Sequence, residues 1–330
     1  MSSVVPPRDA LTAGLFGKLP SRGDFVRINV AGAGLEFAAH LEASVDICRR
    51  AGCDPLVPES FFLYRAPKSP VALVGMLRPS NDNVGRTFPL AFFTEIEVES
   101  AAGNFDILPL AFAPFFAAAG ALADDGPTLA PNALAERLEE LPFPTIEEFE
   151  AAQARGDALP LETSAAAFAD SLFGPTPKGR RHFAFHAAAT ACEQSRELVG
   201  DAKTGITLAL PLCGPFDVTL WLGAVRRFLG EQTVCPNILW TAPKSSPSCG
   251  SVKIEVPPTP GKLLVSFGAP SSSAQAFLVG ALNDSPRLWP VAGCDEAAIE
   301  RVKASLTPVQ LEVLADADAT LDAVVTAFGG

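Results

Sequence analysis

The sequence predicts a mixed α+β fold: an antiparallel or mixed central sheet with helices packed on it, plus a helical acidic insert. Three observations carry this. Strand-like runs alternate with helix-period stretches at both ends of the chain. Three such runs follow one another between Phe61 and Val98, which suggests an antiparallel meander. The stretch between them and the C-terminal elements carries leucines at helical spacing among glutamates.

Taken in order, Gly14–Lys18 reads as a short strand, followed by a turn at Pro20–Asp24. Leu35–Arg50 reads as a helix, because Ala38, Leu41, Val45 and Cys48 recur at intervals of three and four and share a face; Gly52 is its expected C-cap. Phe61–Tyr64, Val71–Leu77 and Thr87–Val98 are strands, the last broken early by Pro89. From Ile107 to about Asp170 the chain reads as helices. Leu134, Leu138 and Leu141 lie on one side with Glu136, Glu139 and Glu140 between them, and Thr145 followed by Glu147 and Glu148 marks a helix start. Beyond it come a helix over Arg181–Leu198, a strand over Gly205–Leu212 and a helix over Phe216–Leu229 capped by Asp217. Strands at Asn237–Trp240, Val252–Val256 and Lys262–Phe267 and a helix at Ser271–Leu282 complete the reading.

The 330 residues suffice for one large or two ordinary domains. With 48% hydrophobic and 19% charged residues the chain is globular rather than disordered. Its net charge of -12 argues against nucleic acid as the main partner. The charge is uneven: residues 1–94 carry a net +2, residues 95–170 a net -13, residues 171–284 a net +3 and residues 285–330 a net -4. No apolar run approaches the ~20 residues that span a bilayer, and the first ten residues lack a signal-peptide layout. The expected place is therefore the cytoplasm. The seven scattered Cys, with no CxxC, suit neither a disulfide framework nor a zinc knuckle.

Catalytic signatures are sparse. His182 and His186 are four apart on an expected helix, but Phe183 stands where a zincin motif needs Glu. Neither a P-loop nor a G-x-S-x-G appears, and Gly32-Ala-Gly34 is too short for a dinucleotide fingerprint. Arg22-Gly-Asp24 is the integrin tripeptide, for which a tight turn in a cytoplasmic chain is the simpler explanation. No metal, nucleotide or other cofactor is expected. Trp221 and Trp240 are expected in the core or at its edge, as is Trp289.

Two polar segments stand out, Lys18–Phe25 and Arg78–Arg86, both dense in turn-formers and in charges that can pair. Lys18, Ser21, Arg22, Asp24, Ser80, Asp82 and Arg86 are the candidate residues, for partner binding or for the structure of the motif itself. As structure, they are two loops at one end of the sheet, fixed by Arg86 with Asp24 or Arg22 with Asp82. As function, they are a polar recognition surface. The two loops are expected to meet, with Arg86 within ion-pair range of Asp24 or Asp82.

Phe16–Val26 (FGKLPSRGDFV) and Pro79–Leu90 (PSNDNVGRTFPL) resemble the signature of the TagF (ImpM) family of type VI secretion-associated proteins. The likeness continues through Phe216–Trp221, Asn237–Trp240 and Leu263–Pro270, so that it covers about residues 11–290. The resemblance makes residues 1–290 a TagF-like domain, which the uneven charge divides into an N-terminal unit (1–94), an acidic helical middle (95–170) and a C-terminal unit (171–290), followed by a helical extension over 291–330. It implies a cytoplasmic, non-enzymatic accessory protein that represses type VI secretion after translation and is linked to the forkhead-associated scaffold of that system. It brings no catalytic residues. The long Ala- and Glu-rich middle departs from the family pattern. Two other readings stand beside it: a small-ligand sensor or enzyme using the two polar loops, and a structural subunit of the secretion machine.

Overall fold

The computed structural model describes residues 11–50, 52, 58–65, 69–173, 179–197, 205–230, 235–242, 261–268 and 296–329. An eight-stranded sheet organises them. Its strands are β1 (Ala13–Gly17), β2 (Val26–Ile28), β3 (Ser60–Arg65), β4 (Val71–Arg78), β5 (Leu90–Glu97), β6 (Gly205–Leu212), β7 (Asn237–Trp240) and β8 (Gly261–Gly268), in the order β2-β1-β5-β4-β3-β7-β8-β6. Every pairing is antiparallel. β3, β4 and β5 form the expected meander, with registers such as Leu63↔Val74 and Val74↔Thr94.

The central strands are buried almost throughout, because both faces are covered. On one face lies helix α1 (Gly32–Arg50), which buries Phe37, Ala38, Leu41, Val45 and Cys48 against Phe62, Tyr64, Leu73 and Phe93. Phe37 stacks on Phe62 with ring centroids 4.8 Å apart. Gly52, with φ +72°, donates its N–H to the Arg49 carbonyl at 3.1 Å, the C-cap the sequence indicated.

The other face carries the remaining helices: α2 (Val98–Asn104), α3 (Leu108–Ala111), α4 (Ala113–Asp125), α5 (Pro131–Glu139), α6 (Ile146–Glu162), α7 (Ala165–Phe173), α8 (Gly179–Glu197), α9 (Asp217–Leu229), α10 (Glu296–Ser305), α11 (Pro308–Ala315) and α12 (Leu321–Gly329). α4 packs on β4 and α5 on β1. Leu134 and Leu138 of α5 and the following Leu141 are buried while Glu136, Glu139 and Glu140 face water, as their spacing indicated. Thr145 caps α6 through a complete capping box with Glu148, its side chain accepting from the Glu148 N–H at 3.2 Å. α9 is the hub of this layer: ten of its thirteen residues are buried, so it is helix wrapped by helix. Trp221 lies under α7 and α8, with Phe168 and Phe185 at 5.2 and 5.6 Å, and donates to the Pro211 carbonyl. α12 packs against α9 and α6 and buries Leu321, Val324 and Val325 in the same cluster. No helix among the described residues is long and apolar enough to cross a membrane.

Two local readings need correction. Asp217 does not cap α9: the N-cap is Phe216, without a side-chain cap bond, and the Asp217 carboxylate accepts the N–H groups of Cys213 and Gly214 at 2.7 Å each. It therefore fixes the turn that leads into the helix. The turn expected at Pro20–Asp24 is real, but the chain then returns as β2, which pairs with β1 and closes a hairpin the sequence reading missed. The strand expected at Val252–Val256, the helix at Ser271–Leu282 and Trp289 lie outside the described residues.

Candidate functional site

The sheet brings the two polar loops together. β1 ends at Gly17 beside the start of β5, where Phe16 pairs with Ala91, and β5 starts beside the end of β4, where Leu90 pairs with Arg78. The β1–β2 and β4–β5 loops therefore leave the sheet at one end, side by side. Gly17 makes this approach possible: its φ is +144°, and a Cβ there would sit 2.3 Å from the Pro89 carbonyl oxygen.

Asp82 is the centre of the arrangement. Its carboxylate is buried, and its two oxygens are fully used. Oδ1 accepts the backbone N–H groups of Val84 at 3.1 Å and Arg86 at 2.8 Å, which closes the 82–86 turn; Gly85 takes the left-handed conformation that turn requires, with φ +84°. Oδ2 accepts the Lys18 ammonium at 2.5 Å and the Arg86 Nε at 2.6 Å. Burial pushes the Asp82 carboxyl up, but the bonds from Lys18, from the Arg86 N–H and guanidinium and from Val84 outweigh it and hold it well below the usual carboxylate range. Lys18 is itself buried, so a partner for its charge is required.

Further bonds tie loop to loop. The Ser80 hydroxyl donates to the Lys18 carbonyl at 2.7 Å, Asn83 N–H to the Arg22 carbonyl at 3.0 Å, and Arg86 Nη2 to the Gly23 carbonyl at 2.8 Å. Arg49 at the end of α1 donates to the Thr87 carbonyl at 2.6 Å. Beneath them Phe16, Phe25 and Phe88 form an aromatic triad with centroids 4.8 to 5.7 Å apart. The Lys18 ammonium lies 5.1 Å from the centre of the Phe25 ring.

The structure thus unites Lys18, Ser80, Asp82 and Arg86. Arg86 meets Asp82 and not Asp24. Arg22, half-buried, and Asp24, exposed, form no ion pair among the described residues, and Ser21 is exposed beside them. These three line a cleft of about 600 Å³ between the Ser21–Ile28 segment and the start of α5. The sequence reading missed three residues of this surface. Arg27, exposed, projects from β2 with its guanidinium over Phe16 and forms an exposed pair with Glu42 at 3.2 Å. Val84, 70% exposed at the tip of its turn, and Phe25, 37% exposed, are apolar residues among turn-formers. That oddity is the signal that could have singled them out, because a turn alone calls for no large apolar side chain.

His186 shares α8 with His182, whose side chain is outside the described ones; burial lowers the His186 pKa. Among the described residues no group of three or more His, Cys, Asp or Glu is placed to hold a metal ion.

No curated protein matches the sequence. Among solved structures the chain is similar to one described as the crystal structure of PA0076 from Pseudomonas aeruginosa PAO1. That match is 23% identical with a TM-score of 0.32 and covers 40% of this chain and 64% of that one. Residues 14–141 match the TagF N-terminal domain, type VI secretion system-associated. Both polar loops lie inside that span, and residues 14–141 belong to the TagF N-terminal domain family.

Proposed function

We propose that the protein is a non-enzymatic, cytoplasmic regulator that represses type VI secretion after translation by binding a protein of that system, the forkhead-associated scaffold. The observation that carries this reading is the position of the locked loops within the family-matched residues 14–141. A buried ion cluster and a left-handed turn hold a small exposed surface in one geometry. Rigid surfaces bind proteins with less loss of conformational freedom, and Arg and aromatic side chains are favoured anchors. The same cluster argues against acid–base chemistry at this site, because an Asp82 carboxylate held ionised with four hydrogen bonds has no oxygen left to take a substrate proton.

Co-purification from the native host tests the reading, with secretion followed in parallel. The scaffold should be enriched with the tagged chain, and overproduction of the chain should lower the amount of secreted type VI substrates. Unchanged secretion on overproduction, with no scaffold enriched, would contradict it.

A further inference from the structure

We propose that a groove beside α4, at the sheet end that carries the polar loops, seats a basic segment of the protein partner, with an apolar side chain on Phe61, Phe116 and Trp240 and a neighbouring lysine or arginine on Glu59 and Asp124. This rests on the protein-binding reading above and names the chemistry of what is bound. The groove lies between α4 and the 215–219 segment that opens α9, and its volume is about 560 Å³, room for a few side chains. β3 starts and β7 ends beside the end of β4, since Ser60 pairs with Leu77 and Phe61 with Trp240. Arg78, the last residue of β4, lines the groove, and the loop of Asp82 and Arg86 leaves the sheet directly after it. One partner can therefore span both the groove and the loops.

The floor of the groove follows from strand register. Met76, Phe61 and Trp240 stand directly opposite one another on neighbouring strands, so their side chains form one row on the face that carries α4. Phe116 of α4 joins the row, its ring 4.9 Å from Phe61 and 5.7 Å from Trp240. α4 covers the row only in part, because it presents Ala113, Ala117, Gly120 and Ala121 there. Gly120 has no steric need to lack a side chain: a Cβ on it would meet only Arg78 Nη1 at 3.6 Å and Met76 Cε at 3.9 Å, both ordinary contacts. Glycine inside a helix is destabilising relative to alanine, so packing leaves this residue unexplained, whereas an open groove over Met76 accounts for it. An aromatic floor between small walls is the shape that takes one apolar anchor.

Charge fixes the neighbour of that anchor. The Arg78 guanidinium bonds Glu59 at 2.7 Å and Asp124 at 2.5 Å, which holds both carboxylates at one end of the groove. Two carboxylates on one guanidinium leave a negative charge in excess. Each bond uses one oxygen, Oε2 of Glu59 and Oδ1 of Asp124, and both side chains are exposed, so the second oxygen of each is open to an incoming ammonium or guanidinium. Exposed pairs of this kind add little stability, but they select a basic segment over an acidic one. α4 also belongs to the stretch 95–170 with its net -13, whose field favours the approach of a cation. Arg78 already fixes both acids, so binding demands little ordering on this side.

The probe is the purified forkhead-associated scaffold of the host, and secretion in the host is the second readout. Gly120→Leu fills the groove from within, and Ala117→Trp fills it from an exposed position on the same wall. Each should weaken scaffold binding at least ~tenfold and relieve repression of secretion, whereas Gly120→Ala, which leaves the groove open, should bind within ~twofold of the unaltered chain. Asp124→Lys leaves Arg78 its bond to Glu59 and should weaken binding ~tenfold at low salt. That loss should shrink as salt shortens the screening length to ~8 Å. Glu312→Lys, an exposed reversal on α11, is the control for net charge and should leave both readouts unchanged. Thermal melts confirm that each variant is folded. If the unaltered chain neither binds the scaffold nor represses, the regulator reading fails, and the groove proposal with it. If the unaltered chain binds and represses and both folded filling variants do so within ~twofold of it, the groove proposal alone is overturned. A folded Asp124→Lys that binds as the unaltered chain does would overturn the basic character of the seated segment. A self-associated chain that Gly120→Leu dissociates would seat a second copy in the groove and would equally overturn the assignment to a partner.

Discussion

The Lys18 ammonium and the Asp82 carboxylate, 64 positions apart in the chain, meet at 2.5 Å with both side chains buried. This pair joins the β1–β2 loop to the β4–β5 loop, and Arg86 completes the cluster from the solvent side at 2.6 Å, with 60% of its side chain exposed. A buried cation that loses its paired anion is strongly unfavourable, so the pair enforces one arrangement of the two loops.

Asp82→Asn should therefore lower the melting temperature at neutral pH by several degrees, because Lys18 stays buried without a counter-charge. The same cluster sets an acid limb. Since the folded pKa of Asp82 lies below its unfolded value, its stabilisation is complete above the ordinary carboxylate value of ~3.9 and is lost as pH falls through the folded value. Thermal melts between pH ~5 and ~2 should show a steeper loss for the unaltered chain than for Asp82→Asn.

Gly17→Ala places a Cβ 2.3 Å from the Pro89 carbonyl oxygen and 2.8 Å from Leu90 Cα, both backbone atoms that cannot swing away. Denaturant unfolding should show a loss above ~2 kcal/mol. Gly52→Ala also meets a positive φ, but nothing lies within 4 Å, and it should cost only the conformational penalty of ~1–2 kcal/mol.

Leu138→Ala on α5 empties a fully buried site and should destabilise by ~2–5 kcal/mol in urea unfolding. Glu139→Lys beside it faces water and should change stability by less than ~0.5 kcal/mol. The contrast measures how far the acidic helices are structure on one face and only charge on the other.

Burial pushes the Cys192 and Cys235 thiols up to about 12, which leaves almost no thiolate at neutral pH. Mass-spectrometric mapping after brief alkylation of the native protein should find both unmodified, and both modified once denaturant is added. Partly exposed Cys213 should react ahead of them.

Much of this was legible in the sequence because local rules and tertiary packing agree. The α1 face repeats at helical spacing, and Thr145 with Glu148 is a capping box in sequence and in space. The meander follows from three consecutive β-type runs. Strand β2 was missed because it is three residues long and held by its pairing with β1, a non-local bond that no short window reveals. Asp217 misled for a related reason: an acid at a helix start suits either a cap or the preceding turn, and only the geometry at Cys213 and Gly214 decides. At the site, the meeting of the two loops could be read from their place at strand ends and their opposite charges. The choice of Asp82 over Asp24 could not, because it depends on which carboxylate the turn at 82–86 turns inward.

Hydrogen–deuterium exchange of the chain with and without the purified scaffold tests most directly the claim that the locked loops are the recognition surface. Bound scaffold should slow exchange in peptides covering residues 19–28 and 80–87, with the faces of α8 and α10 unchanged. Binding that leaves both loops unprotected while protecting another surface would contradict it.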